Sequence, residues 1–168
     1  MNFYEQLVAT MIGTISGFIF SLFLFYIKEK LSISKRRRFM VKNVKKELEA
    51  NIVLLIKADQ SLTKCIEQVT NNIQQVYCTL NYKFYGKFFT QQFYQSGFIY
   101  DEWTIKDIET LNEAFVAYSV GSDAYVLNGL QQWRDGKADN KSTLAVLHFE
   151  RDNIQKNLIN LDDLMEKV

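Results

Sequence analysis

LVATMIGTISGFIFSLFLFYI, residues 7–27, is the stretch whose reading decides the architecture of this 168-residue chain. It holds no charged residue, and at about 1.5 Å per residue a helix of this length spans roughly 31 Å, the hydrocarbon thickness of a bilayer. A cleaved signal peptide would need a basic leader, a shorter apolar core and a small-residue cleavage site. Here MNFYEQ (residues 1–6) carries only an acid, and the run ends in bulky FLFYI before KEK. The expectation is an uncleaved, single-pass transmembrane anchor over residues 1–27.

Orientation follows from charge. The net charge of +1 conceals a division: residues 28–46 hold nine Lys/Arg against one Glu, a local +8, whereas residues 47–168 carry a net −6. Lys28, Lys30, Lys35, Arg36, Arg37, Arg38, Lys42, Lys45 and Lys46 all follow the span, and the positive-inside rule assigns them to the cytoplasm. The short N-terminus is then outside, residues 28–46 form a basic juxtamembrane segment, and residues 47–168 form a cytosolic domain. Arg36, Arg37, Arg38 and Lys42 are the candidates for lipid or ligand phosphate. The acidic remainder argues against a duplex DNA partner. Cys65 and Cys78 fall in a reducing compartment without CxxC spacing, so neither a disulfide nor a metal pair is expected.

Within the apolar run, Ala9, Gly13, Gly17 and Ser21 recur every four residues along one slowly drifting helix face. Lipid gives helices no hydrophobic reason to associate, so close backbone approach over small side chains is what holds them together. These four are the expected oligomerisation face, with Thr10 and Thr14 beside it as candidates for interhelical hydrogen bonds. The competing explanation is that small residues are common in membrane helices.

Beyond the span there is no Gly before Gly86 and no Pro anywhere, so a long stalk helix is allowed. The segment reads as one long helix or two in succession, and Ser32-Ile33-Ser34 is the place for an interruption, since serine side chains compete for backbone hydrogen bonds. Val41, Val44, Leu48, Leu55, Leu62, Ile66, Val69, Ile73, Val76 and Leu80 then follow a near-heptad pattern, with Asn51 and Ala58 at apparent breaks. If there is a break, Asp59 or Ser61 could cap a second helix; Asn51 is read either as buried, fixing the register of a helical bundle, or equally as solvated.

Residues 77–103 hold eleven of the 24 aromatics. A core plug is the expected explanation. One functional alternative places Lys83, Tyr85 and Lys87 at a ligand, ring on base and ammonium on phosphate, and another lays the stretch on the bilayer as an amphipathic segment, with only two basic residues to accompany it. Thr104 and Asp107 form a capping-box pattern before Ile105, Ile108, Leu111, Phe115 and Tyr118. Gly121-Ser122-Asp123 is expected to close that helix and cap another, Tyr125, Leu127, Leu130 and Trp133 serve this shorter one, and Asp135-Gly136 turns the chain. Ser142 is expected to cap a last helix carrying Leu144, Leu147, Ile154, Leu158, Leu161, Met165 and Val168, packed against the stalk of the same chain or of a neighbour. No strand alternation competes, so the fold class is all-α: an anchor helix followed by a cytosolic helical bundle with a long stalk.

Chemistry is sparse. His148 is the only histidine, and no GxSxG, Walker loop or HExxH is present. Asp101-Glu102 and Asp162-Asp163 are sequence neighbours, which a helix turns about 100° apart, so neither pair makes an acid/base dyad alone. A non-enzyme without cofactor or metal is expected. The layout of one span, a basic juxtamembrane stretch, ELEANIVLLIK (residues 47–57) and a helical cytosolic domain resembles small membrane-anchored effectors of prokaryotic antiviral defence, the CRISPR type III accessory effectors among them. That resemblance implies an oligomeric membrane effector sensing a nucleotide second messenger, a cyclic oligoadenylate, or a cytosolic protein. The Asn-, Lys-, Gln- and Tyr-rich composition fits an A/T-rich bacterial gene. The other expectation is a passive anchor that tethers a cytosolic partner.

Overall fold

The computed structural model describes residues 2–73, 80, 88–118 and 123–167. Six helices follow in order: α1 (Phe3–Thr70), α2 (Phe88–Gln95), α3 (Ile99–Glu102), α4 (Ile105–Ala117), α5 (Ala124–Arg134) and α6 (Asn140–Glu166). Among the described residues there is no strand, so the all-α expectation holds. The chain forms two compact units, Met1–Phe39 and Met40–Val168.

In the first unit α1 carries a segment long and apolar enough to cross a membrane. Its large side chains are outward and uncovered: Phe18 is 64% exposed and Phe25 65%. Ser32-Ile33-Ser34 does not interrupt the helix, so of the two readings the single long helix is the one observed as far as Thr70. With neither Gly nor Pro nearby, two serines at a few tenths of a kcal/mol each are too weak to break a helix flanked by good formers. Nor does a second helix begin at Asp59 or Ser61. The Ser61 hydroxyl donates to the Lys57 carbonyl at 3.0 Å, an interior helix bond.

In the second unit α1 turns one stripe inward. Met40, Val44, Leu48, Asn51, Leu55, Ala58, Leu62, Cys65 and Val69 are buried. From Val44 onward these alternate by four and three, so the pattern is a strict heptad seam rather than a near one. Val44, Asn51, Ala58 and Cys65 occupy one position, and Leu48, Leu55, Leu62 and Val69 the other. Asn51 and Ala58, expected as breaks, are members of the seam, while Val41 and Ile66 lie at its margin. Hydropathy alone discounts a polar or small residue, but the helix surface repeats by geometry. A large residue on one layer and a small one on the next let neighbouring side chains interdigitate.

The helix also stops earlier than its pattern, which extends to Ile73, Val76 and Leu80. It ends at Thr70, Ile73 is exposed, and Val76 lies outside the described residues. Asn72 takes φ 54°, a left-handed conformation that asparagine tolerates. The Ile73 N–H reaches back to the Gln68 carbonyl at 2.9 Å, closing a Schellman-type end. The Asn140 amide then donates to the Val69 carbonyl at 3.2 Å and to Asn72 Oδ1 at 2.6 Å. A contact from 68 residues away on Asn72 thus helps set the stop.

The C-terminal helices run back and forth over α6. The α5–α6 hairpin turns at Gly136, φ 70°, and is fastened by Trp133 Nε1 donating to Asn140 Oδ1 at 2.7 Å. In α4, Asp107 meets Lys167 at one end, and the Tyr118 hydroxyl donates to the Asn153 carbonyl at the other, so α4 is antiparallel to α6. Asn140 at Val69, with Arg151 and Gln155 at Asp59, likewise orders α6 antiparallel to the inner part of α1. The last helix therefore reaches the stalk within one chain.

Local readings fared unevenly. The Thr104/Asp107 capping box is present. Ser142 is not the last helix's cap: Asp139 is, accepting from the Ser142 N–H at 2.7 Å. Asp123 precedes α5 without a side-chain cap bond, and Gly121 and Ser122 lie outside the described residues. Ile105 and Tyr125 face outward, and Val126 takes the inner place expected of Tyr125. Leu164 and Thr143 join the buried face of α6, Leu144, Leu158 and Met165 are half-buried, and Val168 lies outside the described residues. The shift by one position in α5 is the ordinary ambiguity of a short helix with apolar residues in succession.

Candidate functional site

The small-residue face is open. Ala9, Gly13, Gly17 and Ser21 are all exposed, and a Cβ added at Gly13 or Gly17 would meet nothing within 4 Å. The hydroxyls along it are turned inward on their own helix: Thr10 donates to the Gln6 carbonyl, Thr14 to Thr10 and Ser21 to Gly17, each at 2.8 Å. Their protons are spent within the helix, so toward a neighbouring helix they present lone pairs and low relief.

The basic segment is also presented outward. Lys28, Lys30, Lys35, Arg36, Arg38 and Lys42 are exposed and Arg37 half-buried. Lys83, Tyr85 and Lys87, the candidate ligand residues, lie outside the described residues. The aromatic cluster divides. Phe93 and Trp103 are buried and meet edge to face with centroids 6.0 Å apart, and Phe89 and Phe98 are half-buried. Trp103 Nε1 donates to the Leu164 carbonyl at 3.3 Å. Phe88, Tyr94 and Tyr100 point outward, so the plug accounts for only part of the cluster.

Of these outward rings, Tyr94 borders a groove of about 360 Å³ between α2–α3 and α4. Ile99, Ile108, Leu111 and Phe115 form its wall, with Thr90, Gln91, Tyr94 and Asn112 around it. Tyr94 and Tyr100 lie with centroids 5.9 Å apart, and their hydrogen bond raises the Tyr100 hydroxyl above its ordinary range. Among the described residues no charged side chain lines this groove, which can hold an apolar body and orient it by amide and hydroxyl contacts.

Glu47 on α1 holds the α2 wall in place. Its carboxylate accepts from the Phe89 N–H at 2.7 Å, the Thr90 N–H at 2.9 Å and the Thr90 hydroxyl at 2.9 Å. Those amides open the first turn of α2, where backbone donors lack helical partners and a negative charge is favoured. No sequence signal marks Glu47, because its partners are 42 and 43 residues away.

A second, polar pocket of about 280 Å³ lies between α4 and α6, with Glu113, Tyr118, Glu150, Asn153, Lys156, Asn157 and Asn160 in its lining. Tyr118 is buried, and its hydroxyl accepts from the Asn157 amide at 3.2 Å. Burial raises its phenol well above the usual tyrosine range. Here the sequence did carry a signal. Asn153, Asn157 and Asn160 are spaced four and three apart, a polar stripe in an otherwise leucine-rich helix.

His148 is exposed on α6, as are Asp162 and Asp163. Among the described residues no three His, Cys, Asp or Glu side chains cluster to hold a metal. Cys65 is buried in the seam, and Cys78 lies outside the described residues. No family model, curated protein or solved structure matches this chain.

Proposed function

We propose that this chain is a non-enzymatic, single-pass membrane effector, anchored by residues 7–27 with its C-terminal helical bundle in the cytoplasm. In this reading it assembles through the Ala9/Gly13/Gly17/Ser21 face, and a ligand or partner of the bundle shifts that assembly. The observation that carries it is the belt of large apolar side chains in the first unit, from Leu7 to Ile27, exposed without cover from the chain itself. A belt of that area is stable only in lipid or against copies of itself. The charge layout supports a bacterial inner membrane with the N-terminus outside. Antiviral defence is the context in which the layout has its nearest resemblance.

The test is Gly13→Leu/Gly17→Leu. Both positions are open, so leucine leaves the helix intact and the segment apolar while placing bulk where backbones are to meet. Crosslinking in membranes and a dye-leakage or growth assay should both lose signal, whereas Ile15→Leu/Phe18→Leu should not. A double mutant that is fully assembled and fully active refutes the effector reading.

One observation favours a second reading, a passive tether: the uncharged groove beside α4 suits a protein surface better than a nucleotide. A tether keeps its function in both double mutants, since any spanning helix holds the domain at the membrane.

A further inference from the structure

The basic segment is more than a topology signal. Within the first unit, Lys28, Lys30, Lys35, Arg36, Arg37 and Arg38 sit on continuous helix, with Glu29 the only acid among residues 28–39. At 100° per residue, six residues at these spacings point to every side of the axis, so the charge is a collar rather than a stripe. Leu31, Ile33 and Phe39 are exposed between and just beyond the bases. A solvated helix gains nothing from such side chains. At a lipid interface Leu31 and Ile33, about 6 and 9 Å beyond the apolar run, can reach back toward the acyl boundary while the longer cations meet the headgroups, and Phe39, about 18 Å beyond it, lies outside that layer.

Depth fits this alternation. From the end of the apolar run to Arg38 is about 16 Å at 1.5 Å per residue, against roughly 5–8 Å of headgroup region per leaflet. Lys28 and Lys30 fall inside that layer. The 35–38 cluster lies about 12–16 Å beyond the apolar boundary, and side chains of about 6 Å bring its charges to within about a Debye length, roughly 8 Å, of the phosphate plane. The next acid along the chain offers little competition, because Glu47 accepts three hydrogen bonds from α2.

We infer that residues 28–39 form a binding collar for the headgroups of anionic phospholipids, with Arg36 and Arg38 as its principal contacts. The inference rests on the membrane reading above and names the lipid class which that reading leaves open. Phosphate is common to zwitterionic and anionic lipids and to free phosphate, but a collar of this net charge discriminates by the lipid's net charge. Each basic residue near an anionic surface contributes about 1 kcal/mol, or roughly fivefold in partition.

The full-length protein reconstituted into mixed phosphatidylcholine/phosphatidylglycerol vesicles provides the test. Spin-labelled lipids of each headgroup report the fraction motionally restricted by the protein, and hence a relative association constant. The expected result is a phosphatidylglycerol preference of roughly fivefold or more, reduced toward one by 0.5 M NaCl at about a third of the low-salt Debye length. Arg36→Gln/Arg37→Gln/Arg38→Gln should abolish most of it. Lys137→Gln/Lys141→Gln/Lys156→Gln, the same charge change on the exposed surface of the other unit, should preserve it. Inorganic phosphate should displace no more lipid than chloride at equal ionic strength. Equal association of both headgroups with the wild type overturns the inference, as does full preference in the arginine triple mutant or specific displacement by phosphate. Carbonate extraction of the same samples separates the two levels: a chain that is extracted refutes the anchor, and one that resists extraction without headgroup preference refutes the collar alone.

Discussion

Replacing Glu47 by Ala should release α2 while leaving the rest of the helical domain folded. The carboxylate accepts three hydrogen bonds, from Phe89 N–H, Thr90 N–H and the Thr90 hydroxyl. Bonds to a charged acceptor contribute about 1.5–3 kcal/mol each when buried. Here the sum is smaller, because Glu47 and Phe89 are half-buried and the freed amides regain water. A loss of about 2–3 kcal/mol is therefore expected, capped by the free energy at which α2 opens locally. Native-state hydrogen exchange is the direct assay. In Glu47→Ala the Phe89 and Thr90 amides should exchange roughly 30- to 100-fold faster, since 1.4 kcal/mol is a factor of ten. Amides of α6 should change little. Thr90→Val, which removes only the hydroxyl bond, should show a smaller effect of the same kind. Unchanged exchange at residues 88–95 in Glu47→Ala would refute the clamp, and equal acceleration throughout α6 would show that Glu47 stabilises the whole domain instead.

Leu55→Ala, at a fully buried seam position, should cost about 2–5 kcal/mol in chemical denaturation, whereas Val53→Ala on the exposed face should cost under about 1. Asp107 is held below the usual carboxylate range, chiefly by its hydrogen bond to Lys167 at 2.6 Å and further by Thr104. Its folded value lies below its unfolded one, so its contribution is present above the ordinary aspartate value of 3.8 and is lost as pH falls through the lower folded value. Melting curves between pH 2 and 5 should therefore be flatter in Asp107→Asn. Tyr118 has the opposite sense: its raised phenol leaves the folded state protonated while the unfolded chain ionises near 10.0, so stability falls as pH rises above that value. Tyr118→Phe should remove this part of the alkaline slope, and an unchanged slope above pH 10 would count against a buried phenol.

Some features of this protein are set by local sequence alone. The uncharged run at residues 7–27 makes one helix long and apolar enough to cross a membrane, and the absence of strand alternation leaves helix as the remaining means of satisfying the backbone. The Thr104/Asp107 box was legible because both its partners lie within one turn. Period also revealed the Leu48/Leu55/Leu62 line, since side-chain spacing on a helix is fixed before anything packs against it. What tertiary structure decided was membership and termination. Asn51 and Ala58 joined the seam because the repeat is geometric and the neighbours could fill around them. α1 ended at Thr70 where Asn140 could take the Val69 carbonyl, although nothing between Thr70 and Leu80 forbids helix by itself. The groove and the Glu47 clamp were invisible for the same reason: each joins residues from separate helices, and only the pairing of those helices brings a carboxylate from one to the unsatisfied amides of another.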